Sequence, residues 1–518
     1  MTAGLSALIC FLFVAGAGYF SSQQTIWVDE TTQLSGLALP LDSQLQWLVG
    51  RSELQLGVPP DRMPPLSYWA GTLWAALFGL SEATMRWFGV FATLAAAPAL
   101  YLAGRMRGGV TGGLFVMAVV FLSPNTLVMA GEIRAYPLFL TLSAWSVWAF
   151  LRCLAPDTGN RIGRLAALTI LLVLTAYTHF FGIVLAGALL ATLLIERILS
   201  GDSVRPILLA GLCGAVALGG LVPFVLSAVA KSGDVGAATE SSLRDVAAAS
   251  ARLFFRLFLH GSHSVYMSVL LATGLGLLGL AILTLARLRR KVDRETFGPR
   301  QGAFILLPLM LAGIALPILD LSIGSFEVLA PHYNLWMVPL AAVFIAGAFA
   351  PNPGHAWFTR SAQVFGVIVL VGYLAANAIV LRHAPVYSHG PGEWLAELWV
   401  ETQRPAIVHD ETGHWGHAYF PLHYLSNGDA VQMLSRNDGT LWRIQPVGLE
   451  PVTDSTAYLS TFNHVMRVRV ETMNSGDLAQ IVRGEVSCKP QPPAGAELVS
   501  LKYFCAYTAA SVFVVPNI

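Results

Sequence analysis

Twelve apolar runs occupy the first 381 residues, at roughly 5–20, 66–80, 85–103, 112–130, 134–152, 165–179, 182–195, 205–228, 264–286, 303–320, 333–350 and 362–381. A run of ~20 apolar residues matches the hydrocarbon core of a bilayer, where backbone polar groups must be satisfied within the segment, so these runs predict membrane-crossing helices. Only 12% of the chain is charged and its mean hydropathy is +0.62, whereas a soluble domain carries about 25% charge. The net charge of +1 gives no basic surface for nucleic acid. Residues 1–20 lack a basic start, and Gly18-Tyr19-Phe20 is not a small-residue cleavage pattern, so they read as an uncleaved first helix rather than a signal peptide.

Positive charge orients the crossings. Arg105 and Arg107 precede one helical hairpin and Arg152, Arg161 and Arg164 follow it, while Arg287, Arg289, Arg290, Lys291 and Arg294 form the densest basic mark; the positive-inside rule places all of these in the cytoplasm. Asp29-Glu30, Glu132, His179, the 229–263 and 321–332 loops and everything after 382 then lie outside. Parity forbids the 66–80 run a full crossing. It is short and follows Pro59, Pro60, Pro64 and Pro65, which suits a juxtamembrane or re-entrant helix. The expectation is a multi-pass α-helical membrane protein with about 11 transmembrane helices plus that juxtamembrane helix, in residues 1–381, and an extracytoplasmic α/β domain in 382–518. In that domain 391–402 reads as a helix and 405–409, 465–472 and 511–515 as strands. Cys488 and Cys505 lie in the exported region, where an oxidising compartment permits a disulfide.

Carboxylates beside a bilayer are unfavourable unless they meet water, a cation or a substrate. Asp29, Glu30 and Glu132 are therefore the catalytic candidates. Arg62, Tyr68, Arg86, Arg134, Tyr136, His179, Arg252, Arg256, His260, His332 and Tyr333 gather on the same side as candidate substrate contacts. Carboxylates can deprotonate an acceptor, and Arg or His can neutralise a phosphate leaving group. Plainer readings stand beside these: Glu132 with Arg134 as an internal ion pair, His179 as a packing residue, and Arg252 and Arg256 as headgroup contacts on an amphipathic 243–260 helix. The chain has no P-loop, and His409-Asp-Glu-Thr-Gly-His414-Trp-Gly-His417 lacks the spacing of a zinc hydrolase.

The acidic pair, Arg62-Met-Pro-Pro-Leu-Ser-Tyr68-Trp69, Leu77-Phe-Gly-Leu-Ser-Glu82 with Arg86, Gly131-Glu132-Ile-Arg134-Ala-Tyr136-Pro137, Tyr177-Thr178-His179-Phe-Phe-Gly182 and His332-Tyr333 with Pro339 resemble the GT-C superfamily. Within it, the chain is most similar to bacterial dolichyl-phosphate-mannose protein mannosyltransferases and aminoarabinose transferases. The resemblance covers roughly residues 1–381. It implies a glycosyltransferase that takes a sugar from a polyprenyl phosphate and moves it onto a lipid, glycan or protein acceptor at the outer face of a bacterial cytoplasmic membrane; direct attack of the acceptor on the anomeric carbon would invert the configuration. Asp29 or Glu30 would activate the acceptor, Glu132 matches the region of a second acid, and Arg62 lies near a donor-phosphate Lys, with Met63 intervening before the Pro pair. His332-Tyr333 stands where many relatives have Arg-Tyr. A divalent cation is possible and none is certain. Two other classes are a transporter or flippase of a lipid-linked glycan, which should show paired inverted repeats and discontinuous helices, and a non-catalytic envelope-binding scaffold.

Overall fold

The computed structural model describes residues 2–51, 58, 60–155, 160–232, 243–259, 267–288, 299–323, 328–350, 356–384, 392–411, 415–445, 448–462, 465–472, 497–505 and 508–515. Among them, nine helical stretches are long and apolar enough to cross a membrane. One of these, Glu82–Phe121, holds two arms. Within it Gly108 has φ −129° and Gly109 φ +65°, and a Cβ on Gly104 would stand 2.5 Å from the carbonyl oxygen of Gly112. Residues eight apart in a straight helix are about 12 Å apart, so the chain reverses at 108–109 and its two arms pack backbone to backbone. Only glycine supplies both the positive φ and the missing side chains.

This reversal produces the two crossings expected from the 85–103 and 112–130 runs. The short helix Met337–Ala346 is buried at every residue, which marks it as enclosed by other helices. The described residues thus contain eleven apolar arms, in agreement with the sequence. Leu66–Phe78 is the expected short helix. It buries Ser67, Tyr68 and Gly71 and exposes Leu73, Leu77 and Phe78, packing against Val28–Leu37 and Glu82–Leu94.

The C-terminal part is a mixed sheet of seven strands: β1 (Ala406–Asp410), β2 (Gln432–Ser435), β3 (Leu441–Gln445), β4 (Gly448–Pro451), β5 (Val465–Thr472), β6 (Glu497–Cys505) and β7 (Thr508–Val515). Their order is β4-β3-β2-β1-β5-β7-β6. β1 runs parallel to both β2 and β5, and the remaining pairs are antiparallel. Alternation along β1 sends Ile407 to one face, with Leu395, Trp399, Leu422 and Met466, and sends Ala406 and Val408 to the other, with Met433, Leu441 and Val465. The helices Gly392–Glu401 and Gly416–Leu425 cover the first face. Gly416–Leu425 also packs on Val28–Leu37, and Gln24 Nε2 donates to the Ala384 carbonyl at 3.0 Å. These contacts seat the sheet region over the acidic end of the helical bundle. Cys488 and His414 lie outside the described residues, and Cys10, Cys153 and Cys213 are free thiols.

Candidate active site

Asp29 and Glu30 occupy the first turn of Val28–Leu37, where the helix dipole favours negative charge. Adjacent residues on a helix point in different directions, and here their environments diverge completely. Glu30 is 1% exposed. Arg86 grips its carboxylate with two parallel hydrogen bonds, Nη1 to Oε1 at 2.8 Å and Nη2 to Oε2 at 2.9 Å, and the Ile133 N–H donates to Oε1 at 3.0 Å. Arg86 is equally committed: its Nε donates to Glu82 Oε1 at 2.8 Å and its Nη1 also to the Gly131 carbonyl at 3.1 Å. Such a forked, fully bonded pair locks geometry. It joins the first helix turn to the 131–133 corner, while Arg86 also lines the cavities on either side of it. Of the two carboxylates, Glu30 is thus the one held in an ion pair.

The Asp29 side chain is 40% exposed, and its Oδ2 lies 3.7 Å from Arg134 Nη2. Arg134 in turn donates from Nη1 to the Asp29 backbone carbonyl at 3.1 Å and to Asp61 Oδ2 at 2.9 Å. The expected Glu132–Arg134 ion pair is therefore replaced by Asp61–Arg134, a pairing across 73 residues. Asp61 also accepts from the Tyr68 hydroxyl at 2.7 Å and from the Arg62 N–H at 2.8 Å. Tyr68 is fully buried and its hydroxyl holds the Asp61 carboxylate. Arg62 is half-buried beside this chain of contacts.

Asp61 escaped the sequence reading. A lone Asp in a Pro-rich stretch is the commonest composition of a solvated turn. Its only signal was its place before Arg62 in the Asp61-Arg62-Met63-Pro64-Pro65 run.

Glu132 is buried next to Glu30. Burial, then the Glu30 charge, holds its carboxyl well above the usual carboxylate range. A cavity of about 20 Å³ bounded by Trp27, Glu30, Arg86 and Glu132 has room for about one water. Beyond Arg86 a larger cavity of about 470 Å³ is lined by Ser21, Gln24, Glu82, Trp87 and Glu393, so the C-terminal part closes one of its walls.

The other side of Arg134 is a wall of rings. Tyr136 lies 5.2 Å from His332 and 6.2 Å from Tyr333, and His179 lies 5.9 Å from Tyr136 and 5.5 Å from Tyr333, measured between centroids. Burial, reinforced by His332 and Arg134, pulls His179 down to about 3, and burial with Arg134 pulls His332 down to about 4. Both imidazoles are neutral at neutral pH. His179 Nδ1 accepts the Phe181 N–H at 3.2 Å, which assigns its proton to Nε2, and that buried N–H has no partner among the described residues. Arg252 and Arg256 are exposed on Leu243–Phe258, and no described contact joins them to this cluster. His260 lies outside the described residues. Among the described residues, no group of three or more His, Cys, Asp or Glu side chains is arranged to hold a metal ion.

Eleven apolar arms, a polar cluster at one end of the bundle and a mixed sheet seated over it define a multi-pass membrane protein with the GT-C fold. Almost the whole chain superposes on the crystal structure of ArnT from Cupriavidus metallidurans bound to undecaprenyl phosphate, with 14% sequence identity, a TM-score of 0.53, and 99% of this chain and 98% of that one covered. The apo structure of the same protein matches with 15% identity and a TM-score of 0.52, covering 98% of each chain. No family profile and no curated protein sequence matches the chain.

Proposed function

We propose that this protein is a glycosyltransferase that moves a sugar from a polyprenyl phosphate to a cell-envelope acceptor at the outer face of a bacterial cytoplasmic membrane. The observation that carries this reading is the division of the acidic pair: Glu30 is locked to Arg86, while Asp29 keeps an open carboxylate beside Arg134 and the Tyr136–His179–His332–Tyr333 wall. The same fold holds undecaprenyl phosphate in ArnT, which supports a polyprenyl-phosphate donor here.

In the proposed reaction Asp29 accepts the proton of the acceptor nucleophile as that atom bonds to the anomeric carbon. The bond from the anomeric carbon to the phosphate oxygen breaks, and the lipid phosphate leaves with the electron pair. Direct attack inverts the anomeric configuration. The neutral His179 Nε2–H, which lacks a partner among the described residues, is suited to donate to an oxygen in which charge develops. The isoprenoid stays in lipid, because only its phosphate needs to enter the polar cluster. A divalent cation between the Asp29 carboxylate and the donor phosphate is compatible with this chemistry, and activity in EDTA tests the need for it. Residues 382–518 then form an extracytoplasmic domain, and Arg105, Arg152 and Arg161 mark the cytoplasmic end.

The test is reconstitution of the full chain in vesicles with a panel of polyprenyl-phosphate sugars and envelope acceptors, read by product mass and anomeric configuration. A sugar-bearing acceptor of inverted configuration is the expected product. Movement of the donor lipid between leaflets with no transfer for any pair would replace this reading with that of a flippase.

A further inference from the structure

The helix Arg161–Thr178 rises about 27 Å from end to end, close to the ~30 Å thickness of a hydrocarbon core. Its C-terminal end delivers His179 to the candidate active site, so its N-terminal end lies at the opposite membrane interface. There a cavity of about 190 Å³ is lined by Arg161, Arg164 and Arg197, by Cys153, and by Asp202 and Ser203 from the next connection. Three guanidiniums and one carboxylate line it, and Glu196, behind the wall, also pairs with Arg197 at 3.4 Å, which leaves the cluster an excess of positive charge. Asp202 pairs with Arg197 and lies 3.8 Å from Arg161, while Arg164 Nη1 donates to the Arg152 carbonyl at 3.0 Å, which fixes its guanidinium at the cavity wall.

Two helices, Arg161–Thr178 and Arg205–Leu218, begin at this cavity and two, Tyr136–Leu154 and Phe181–Ser200, end at it, so their dipoles offset one another and the positive field comes from the guanidiniums. The surroundings are apolar. Ile162, on the cavity wall, is 76% exposed, and Ile198, Leu199, Leu208 and Leu209 are exposed near it.

We propose that this cavity binds the phosphate headgroup of an anionic membrane lipid, with the headgroup among Arg161, Arg164 and Arg197 and the acyl chains along Ile162 and the neighbouring exposed leucines. The site lies across the membrane from the candidate active site and takes no part in the transfer reaction. Charge complementarity selects a phosphate-bearing anion, and the apolar flank selects a lipid over a free phosphate. A basic pocket between helices at a membrane interface is the arrangement that retains anionic lipids.

Cys153 reports on the cavity directly. Cys213, exposed on Arg205–Leu218 and absent from the cavity lining, serves as an internal reference. The experiment alkylates the purified full chain with N-ethylmaleimide in uncharged detergent and reads each cysteine by peptide mass, with phosphatidylglycerol, phosphatidylcholine or inorganic phosphate added. Phosphatidylglycerol is expected to slow modification of Cys153 and leave Cys213 unchanged, with no effect from phosphatidylcholine or phosphate. Arg161→Gln, at a residue whose side chain is 57% exposed, is expected to raise the half-protecting lipid concentration by about five-fold. Equal protection by phosphatidylcholine, protection by phosphate alone, or an Arg161→Gln variant that needs no more lipid would each overturn the proposal.

Discussion

The two neighbouring carboxylates should differ sharply in what their removal does to stability. Glu30→Gln keeps the shape of the side chain but deletes the charge opposite Arg86, at a site where the two side chains are 1% and 6% exposed. Removing one partner of a buried pair destabilises by about 3–5 kcal/mol, because the other charge stays buried without its counter-ion. Glu82 still contacts Arg86 at 2.7 Å and offsets part of that loss, which places the expected effect at the lower end, about 3 kcal/mol. Asp29→Asn removes a 3.7 Å contact made by a side chain that is 40% exposed, and pairs open to solvent contribute under about 1 kcal/mol. The gap of about 2 kcal/mol corresponds to roughly a thirty-fold difference in the folded-to-unfolded ratio. Thermal unfolding of both variants in one detergent, followed by the reaction of the free cysteines with a fluorogenic thiol reagent, measures it. Equal midpoints for the two variants, or a larger loss for Asp29→Asn, would refute the division of the acidic pair.

Tyr68→Phe deletes the hydroxyl that donates to Asp61 at 2.7 Å; turnover of the proposed reaction should fall while the unfolding midpoint drops by only about 1–2 kcal/mol equivalent, as seen by comparing initial rates with thermal melts. Gly36→Ala should destabilise by about 1–3 kcal/mol through overpacking, since its Cβ would meet Trp47 at 2.5 Å and Tyr68 at 2.6 Å, and restoration of stability by a second, smaller side chain at Trp47 would confirm the cause. Acidification should also weaken one contribution to stability. His179, titrating at about 3, and His332 and His409, both at about 4, stay neutral in the folded state, whereas the unfolded chain takes up protons near 6.5. The contribution of these histidines to stability is therefore complete above about 6.5 and is lost as pH falls from there towards 4, offset in part by the raised Glu132 carboxyl, so unfolding midpoints measured across that window should show the His409→Gln variant losing less stability than the wild-type chain.

The membrane-spanning pattern was legible because hydrophobic length is a local property: each run carries its own evidence for a helix. Strands β1 and β5 were legible for a similar reason, being short β-branched runs bounded by polar residues. The reversal at Gly108–Gly109 was anticipated as a gap between two apolar runs, although the close packing of Gly104 on Gly112 depends on tertiary approach. Asp29 and Glu30 stood out because charge beside a bilayer is rare. The partner choices did not. Arg134 lies two residues from Glu132 but folds towards Asp61, and Arg86 selects Glu30 over the exposed Asp29. Ion-pair partners are set by distances among helices that are far apart in sequence, and no spacing rule along the chain encodes them. Likewise nothing in the sequence around Tyr68, read there as a candidate substrate contact, shows that Gly36 admits its ring against the Val28–Leu37 helix.

The most direct test of the central claim is single-turnover sugar transfer from a polyprenyl-phosphate donor, comparing the wild-type chain with Asp29→Asn in vesicles of the same composition. Loss of a positioned base should slow the chemical step by about 10²–10⁴-fold, with donor binding retained and the fold intact. An Asp29→Asn protein that transfers sugar at the wild-type rate would contradict the account.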